Sequence, residues 1–395
     1  MALDFQQVRQ QIQALTDAAP ESAEKLRKLR DLAEKLLTEN ALNLEYLRDK
    51  ALQAAALDPY FRSALPTDEA LNESFELPEL PARATVIAAD GSQINPDRHM
   101  GIDYCLVNVG AILMVLNDPN PPVTSIQSKL FYGEEVFSMQ EKIVALIRDM
   151  REREILAELA VDVDGPVITF TDGPVELWGR EVSLAASEEQ EEKNYFDRYL
   201  KALHDLYNLQ AATAGYVDKP RSDLLVRLLE IAPDNKSVKD AGKNRWLTGI
   251  LDTEILTPWI GPGERSAIFE IQSRSSKRYQ SQFALHFFYL NVSLNEDKPM
   301  LARVEIPAWV AQSAVMVDAL HAVLVQQCQV VPTRTYPYLL TRADETAVVT
   351  RDEKTQVDNM IAQQLHQRGL DVDQKSHKQL SKEAARQKPR RGKSR

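Results

Sequence analysis

The chain of 395 residues contains no apolar run reaching the roughly 18–20 residues needed to span a bilayer. Its start, Met1 to Gln13, carries charges and glutamines where a secretion signal would need an apolar centre. These two absences predict a cytoplasmic protein without a membrane partner. Cysteine is nearly missing. Cys105 and Cys328 cannot build a disulfide framework, and each sits in an apolar run that predicts a small buried hydrophobe. The six histidines are scattered, with no pair at zinc-ligand spacing, which argues against a His/Cys zinc site. No Walker segment and no Gly-x-Ser-x-Gly elbow occurs, so ATPase and serine-hydrolase readings lack support. Gly261-Pro262-Gly263 is no dinucleotide fingerprint, because no glycine follows at the required place and proline occupies the turn.

Positive charge is also short, with a net charge of −11. The deficit is uneven. From Lys375 to Arg395 there are nine Lys/Arg against one acid, a local charge of about +8 that leaves about −19 on the rest. A basic tail on an acidic body suits contact with a polyanion; a solvated, disordered tail is the other reading.

What is present is an ordinary globular composition, 44% hydrophobic and 27% charged, on a chain long enough for a large core. Residues 1–57 predict two helices: Leu3, Val8, Ile12 and Leu15 in one, Leu26 to Leu37 in the other, with Pro20 as the break. Residues 63–82, rich in Pro, Glu and Ser, read as a linker. Strands are then expected at Ala84–Ala89, Tyr104–Leu116, Val123–Tyr132 and Val167–Thr171, with a helix at Ser138–Ala160 between the last two. Helices follow at 182–213 and 221–232, strands at Ser266–Ile271, Ala284–Val292 and Ala302–Ile306, and helices at 308–327 and 342–367. Asp252 reads as the N-cap of its own helix. The fold class is α/β, a mixed sheet flanked by helices.

Acids stand at particular places in this order. Asp90 follows the first strand and Asp172 the fourth, each with a glycine behind it that lets the backbone turn and leaves room beside the carboxylate. Either Asp-Gly pair alone is an ordinary turn; two at the ends of separate buried strands suggest a site. On the intervening helix Ile143, Ile147 and Met150 share a face, with Met139 and Leu146 beside them. Glu154 falls within roughly 20–40° of the centre of that face, whereas Glu152 points the opposite way and is expected in solvent. An acid in a core-facing stripe needs a metal ion or an arginine to neutralise it.

This succession of acids resembles the RNase H-like nucleases, in which three such carboxylates converge and a fourth group comes from a C-terminal helix. Asp344 is the candidate here; an acid favoured by a helix N-terminus is its plainer reading. Converging carboxylates hold hard divalent ions, and two such ions can activate the attacking water and stabilise the leaving oxygen of a phosphodiester.

Five segments resemble motifs of one family, NurA, the nuclease that works with the HerA translocase in DNA-end processing. They are Ala88-Ala89-Asp90-Gly91-Ser92, Thr171-Asp172-Gly173-Pro174, Ala214 to Ser222, Gly261 to Phe269, and Tyr336-Pro337-Tyr338 running into Ala343-Asp344. The second motif more often reads Asp-Gly-Ser in the family, and the place of Asp344 is often a His. The resemblance covers residues 80–365. It implies a nuclease domain on an RNase H-like core, at 80–370, between the helical arm at 1–62 and the basic tail at 371–395 that the residues themselves predict. It also implies a DNA nuclease favouring Mn²⁺ (or Mg²⁺), two ions per site, acting on single strands and duplex ends as a homodimer on a hexameric HerA-type ATPase. Carried over by position, the metal site is Asp90, Glu154, Asp172 and Asp344, with Tyr216, Lys219 and Arg221 as nucleic-acid contacts. A tyrosine can stack on a base and the cations can pair with phosphates; a capped loop before a helix is the other reading of that segment. A catalytically weak RNase H-like protein, binding DNA or adapting a translocase, is the alternative function.

Overall fold

The computed structural model describes residues 3–96, 103–133, 136, 140–177, 186–236, 238–331 and 334–369. The basic tail and Met139 lie outside the described residues. In chain order the main elements are α1 (Phe5–Glu39), α2 (Leu44–Leu57), β1 (Ser63–Pro66), β2 (Ser74–Phe75), β3 (Thr85–Ile94), β4 (Tyr104–Val115), β5 (Val123–Tyr132), α3 (Glu141–Leu159), β6 (Val167–Asp172), α4 (Ala186–Asn208), β7 (Ala212–Val217), α5 (Leu224–Ile231), α6 (Asp252–Leu256), β8 (Arg265–Ser266), β9 (Phe269–Gln272), β10 (Leu285–Asn291), β11 (Leu301–Pro307), α7 (Ala308–Ala311), α8 (Ala314–Gln329), α9 (Tyr338–Ala347) and α10 (Arg351–Gln367).

Among the described residues all the strands belong to one mixed sheet in the order β1-β9-β10-β11-β7-β6-β3-β4-β5, with β8 on β10 and β2 on β8. The RNase H-like arrangement is its β5-β4-β3-β6-β7 half. There β3, β4 and β5 form an antiparallel meander, and β6 and β7 join parallel to β3. Strand β3 is buried along Thr85–Ala89 on both faces, which explains its unbroken apolar reading. Helix α3 packs on β3 and β4 and also against α4, while α9 packs on β3 and β4 as well.

Several expectations from sequence are corrected. Helix α1 runs unbroken for 35 residues through Pro20. A proline inside a helix costs about 3 kcal/mol, but long runs of good helix formers on both sides carry the helix past it, and the break falls at residues 40–43. Only the last part of α1 is buried, from Ala33 onward, and Phe5, Ile12 and Leu15 are exposed. The linker is also structured: β1 and β2 are strands of the main sheet, and Pro66 is tolerated because β1 is an edge strand. The helix expected to reach residue 213 ends at Asn208, and β7 follows. Its Ala-Thr-Ala-Gly stretch has weak strand propensity. The helices expected at 308–327 and 342–367 are each two. Ser313 caps α8 through the Met316 N–H, and Thr350 starts α10 with a capping box to Glu353.

Asp252 does not cap its own helix. It is fully buried, and its carboxylate accepts the Val226 N–H of α5 at 2.9 Å and the Tyr289 hydroxyl at 2.7 Å. Burial raises its pKa to about 6 against an ordinary 3.8, the two hydrogen bonds offsetting only part of the cost. The folded state therefore binds this proton more tightly than the unfolded chain. The resulting stabilisation is present below about pH 4 and is lost as pH rises through about 6. Asparagine mimics the protonated acid and cannot ionise. Relative to wild type, Asp252→Asn is expected to gain roughly 2–3 kcal/mol between pH 4 and pH 7. Urea unfolding at both pH values measures it, and a difference that does not change with pH rejects the assignment.

Candidate active site

The sheet opens where β3 and β6 part. Their last parallel pair is Ala89↔Thr171; beyond it β3 stays bonded to β4 as far as Ile94, while β6 ends at Asp172. Asp90 therefore does not end a strand, as its Asp-Gly sequence suggests, but lies inside a ten-residue one. Asp172-Gly173 does turn, with φ +85° at the glycine. The gap between the two aspartates lies at the carboxyl end of parallel strands, where ligands enter open α/β sheets.

Each glycine partner brings a helix to this gap. Asp90 stands opposite Gly110 on β4, so both project to the same face. A Cβ on Gly110 would meet Ala343 O and Ala347 N at 2.8 Å, so only glycine lets the backbone of α9 lie on the strand there. That contact carries Asp344 to the Asp90 side of the sheet. Gly91, the next residue, faces the other way. A Cβ there would stand 2.6 Å from Arg148 Cγ and 2.7 Å from Glu152 Oε1. Helix α3 thus approaches from the second face.

Two cavities result, and Asp90 and Asp172 line both. One, of about 380 Å³, is completed by Arg148, Asp149, Glu152, Arg153, Glu176 and Tyr199 among others. The second, of about 590 Å³, adds Asp218, Lys219, Arg334, Tyr336, Thr341 and Asp344. A larger cavity of about 1190 Å³ lies elsewhere, against α2 and the Arg48–Glu270 ion pair. The carboxylates of Asp90, Glu152, Asp172 and Asp344 gather not at this larger cavity but where β3 and β6 part.

Electrostatics set these acids apart. Burial raises the Asp90 carboxyl to about 6, and the charges of Asp172 and Asp344 push the same way, against the Gly91 N–H that it accepts at 2.8 Å. Burial likewise raises Asp172, helped by Asp218 and Asp344, while the Tyr336 hydroxyl donated to its Oδ1 at 2.9 Å works against the shift. Glu152 is only 5% exposed. Its pKa lies well above the usual range, through burial first and the Asp149 charge second.

The structure brings Asp90, Asp172 and Asp344 together and leaves Glu154 out. Glu154 lines neither cavity; Arg198 holds it at 2.7 Å and Arg151 pairs with it. The acid that α3 turns into the site is Glu152. The expected register fails because α3 is buried on almost every side, between the sheet and α4. Its apolar stripe marks one packed face, and the site lies on another.

Tyr216 is also corrected. It is fully buried on β7, with its ring edge-on to Tyr336 at 5.5 Å, and has no face to offer a base. Lys219 and Arg221 are exposed; Lys219 borders the site, and Arg221 lines an adjoining hollow with it. Sequence reasoning assigned no role to Tyr336, although its motif was visible. It also missed Glu176, a fully buried carboxylate paired with Arg62 and bonded by the hydroxyls of Ser273 and Ser275. No local pattern marks Glu176, since its partners come from distant strands and loops.

The NurA domain model matches residues 84–349, which span every acid lining the two cavities. The chain belongs to the NurA family. It is a nuclease on an RNase H-like mixed sheet. Among solved structures it is similar to the NurA nuclease from Sulfolobus solfataricus, at 13% identity and a TM-score of 0.49, over 86% of this chain and 98% of that one. It is also similar to NurA bound to dAMP and manganese, at 10% identity and a TM-score of 0.37, over 79% and 92% of the two chains. The catalytic domain of human endonuclease V gives 12% identity and a TM-score of 0.29, over 80% and 98%. No curated protein matches the sequence.

Proposed function

We propose that this NurA-family nuclease is a divalent-metal-dependent deoxyribonuclease cutting single-stranded DNA and duplex ends, as a homodimer working with a HerA-type hexameric ATPase in DNA-end processing. The observation that carries the metal-dependent reading is the opening between β3 and β6, where Asp90 and Asp172 face each other across two cavities, with Glu152 on one side and Asp344 on the other. Within the family, the helix acid is reassigned from Glu154 to Glu152.

The donor set fits a hard cation. It is all carboxylate; the charges of Asp172 and Asp344 raise the proton affinity of Asp90, and those of Asp218 and Asp344 raise that of Asp172, a repulsion that a cation relieves. As the side chains lie, no group of three acids among the described residues is close enough to hold one ion. Holding an ion would require side-chain rotation, for which the exposed Asp344 has room. A bound divalent ion supplies the charge that lets water attack a phosphodiester at neutral pH. Tyr336 fixes the orientation of Asp172 through its hydroxyl. Lys219 and Arg221 offer positive charge to the phosphates on the outer side.

The test is incubation of the full chain with labelled single-stranded DNA, blunt duplex, RNA and nucleotides, in Mn²⁺, Mg²⁺ or EDTA. Cleavage of DNA with either metal and none in EDTA is expected. Cleavage in EDTA rejects the metal requirement. DNA bound but left intact under every condition would make the chain a binding or adaptor subunit instead. Light scattering, and co-elution with a HerA-type ATPase, check the assembly.

A further inference from the structure

Arg148 lines the smaller cavity together with Asp90, Asp149, Glu152, Asp172 and Glu176. Its stem passes over Gly91, where any side chain would collide with it. Its guanidinium donates to Asp149 Oδ1 at 2.8 and 3.2 Å, and Nε stands 3.4 Å from Glu152 Oε1. The charges of Asp149, Glu152 and Asp90 all bear on it. The other cation lining the same cavity, Arg153, is buried and donates to the Ala214 carbonyl on β7. Arg148 is about one third exposed. It is tightly held by Asp149 and loosely by Glu152, so it can pivot on the first and leave the second.

We propose that Arg148, anchored on Asp149, is a positioning residue that supplies the counter-charge for Glu152 and Asp90 until a divalent ion displaces it, and that the displaced guanidinium then faces the phosphate of the DNA. This rests on the metal-site reading above. Two positive centres cannot share one carboxylate oxygen at short range without strong repulsion, so the ion and Arg148 compete for Glu152. The competition makes the arginine a brake on metal binding, the reverse of what a structural ion pair would do. Once turned outward, its planar fork matches a phosphate better than a lysine would.

The experiment measures Mn²⁺ affinity by electron paramagnetic resonance on the metal-free full chain, with no substrate present. Arg148→Met is expected to bind Mn²⁺ at least about tenfold more tightly than wild type, while its KM for single-stranded DNA rises. Arg148→Lys keeps the charge and is expected to restore most of the wild-type Mn²⁺ affinity but not the KM. Arg198→Met, which removes a cation that pairs with Glu154 outside both cavities, should change Mn²⁺ affinity by less than about threefold. An Arg148→Met protein whose Mn²⁺ affinity is unchanged or weaker overturns the proposal, as does an equal gain in Arg198→Met. Failure of the underlying reading looks different. In that case wild type would bind no Mn²⁺, or Asp90→Asn would bind it as well as wild type.

Discussion

Asp90→Asn is expected to lower DNA cleavage by roughly a thousandfold or more, as expected for loss of several kcal/mol of metal-borne transition-state stabilisation, with the fold intact. The substitution keeps the size of the side chain and an oxygen to accept the Gly91 N–H. It removes the charge that stands, with Asp172, at the opening shared by both cavities. Fold stability should not fall, because burial and acidic neighbours disfavour the Asp90 charge in the metal-free protein. Single-turnover cleavage of a labelled single strand in Mn²⁺ reads the first effect, and the thermal midpoint in EDTA reads the second. Cleavage within about threefold of wild type would mean that the chemistry lies elsewhere. A collapse of the midpoint would show that Asp90 is needed by the fold.

Much of the β5-β4-β3-β6-β7 half was legible because β3, β4 and β6 are buried along most of their length and read as apolar runs. Tyr104–Val115 and Val123–Tyr132 emerge at nearly their expected bounds, and Asp90 and Asp172 fall at the opening. What was hidden depended on partners distant in sequence. Whether Asp90 ends a strand is decided by β4, which keeps pairing with β3 after β6 has turned away. Strand β7 reads weakly because its small residues suit a crowded centre more than an isolated strand; a Cβ on Gly215 would stand 2.5 Å from the Gly173 carbonyl oxygen. Tyr216 looked like a base-stacking residue because burial is not visible in a single sequence, and its ring is covered by Tyr336 from beyond α8. Pro20 is the opposite case. A strong local signal was overruled by helix formers on either side of it.

Glu152→Gln is expected to lower cleavage by roughly a hundredfold or more, and Glu154→Gln to leave it near wild type. The two residues are separated by 200° around α3, so the helix cannot present both to one site. Glu152 has its carboxylate against Gly91, beside Asp90, in a setting that keeps it from water. Losing its charge there removes a donor that Asn or Gln cannot replace in binding a hard cation. Burial and the Asp149 charge already disfavour the ionised Glu152 carboxyl, so the metal-free variant should be no less stable than wild type. Glu154 answers Arg151 and Arg198 at a partly exposed point between α3 and α4. Breaking such a bridge costs up to about 1 kcal/mol, a small fall in thermal midpoint with no bearing on the chemistry. The pair of variants therefore separates two observables: Glu152→Gln moves cleavage and Mn²⁺ affinity, and Glu154→Gln moves stability alone. If Glu154→Gln proves the crippled variant, α3 must turn by about half a circle in the active protein, and the cavity containing Arg148 is not where DNA is cut.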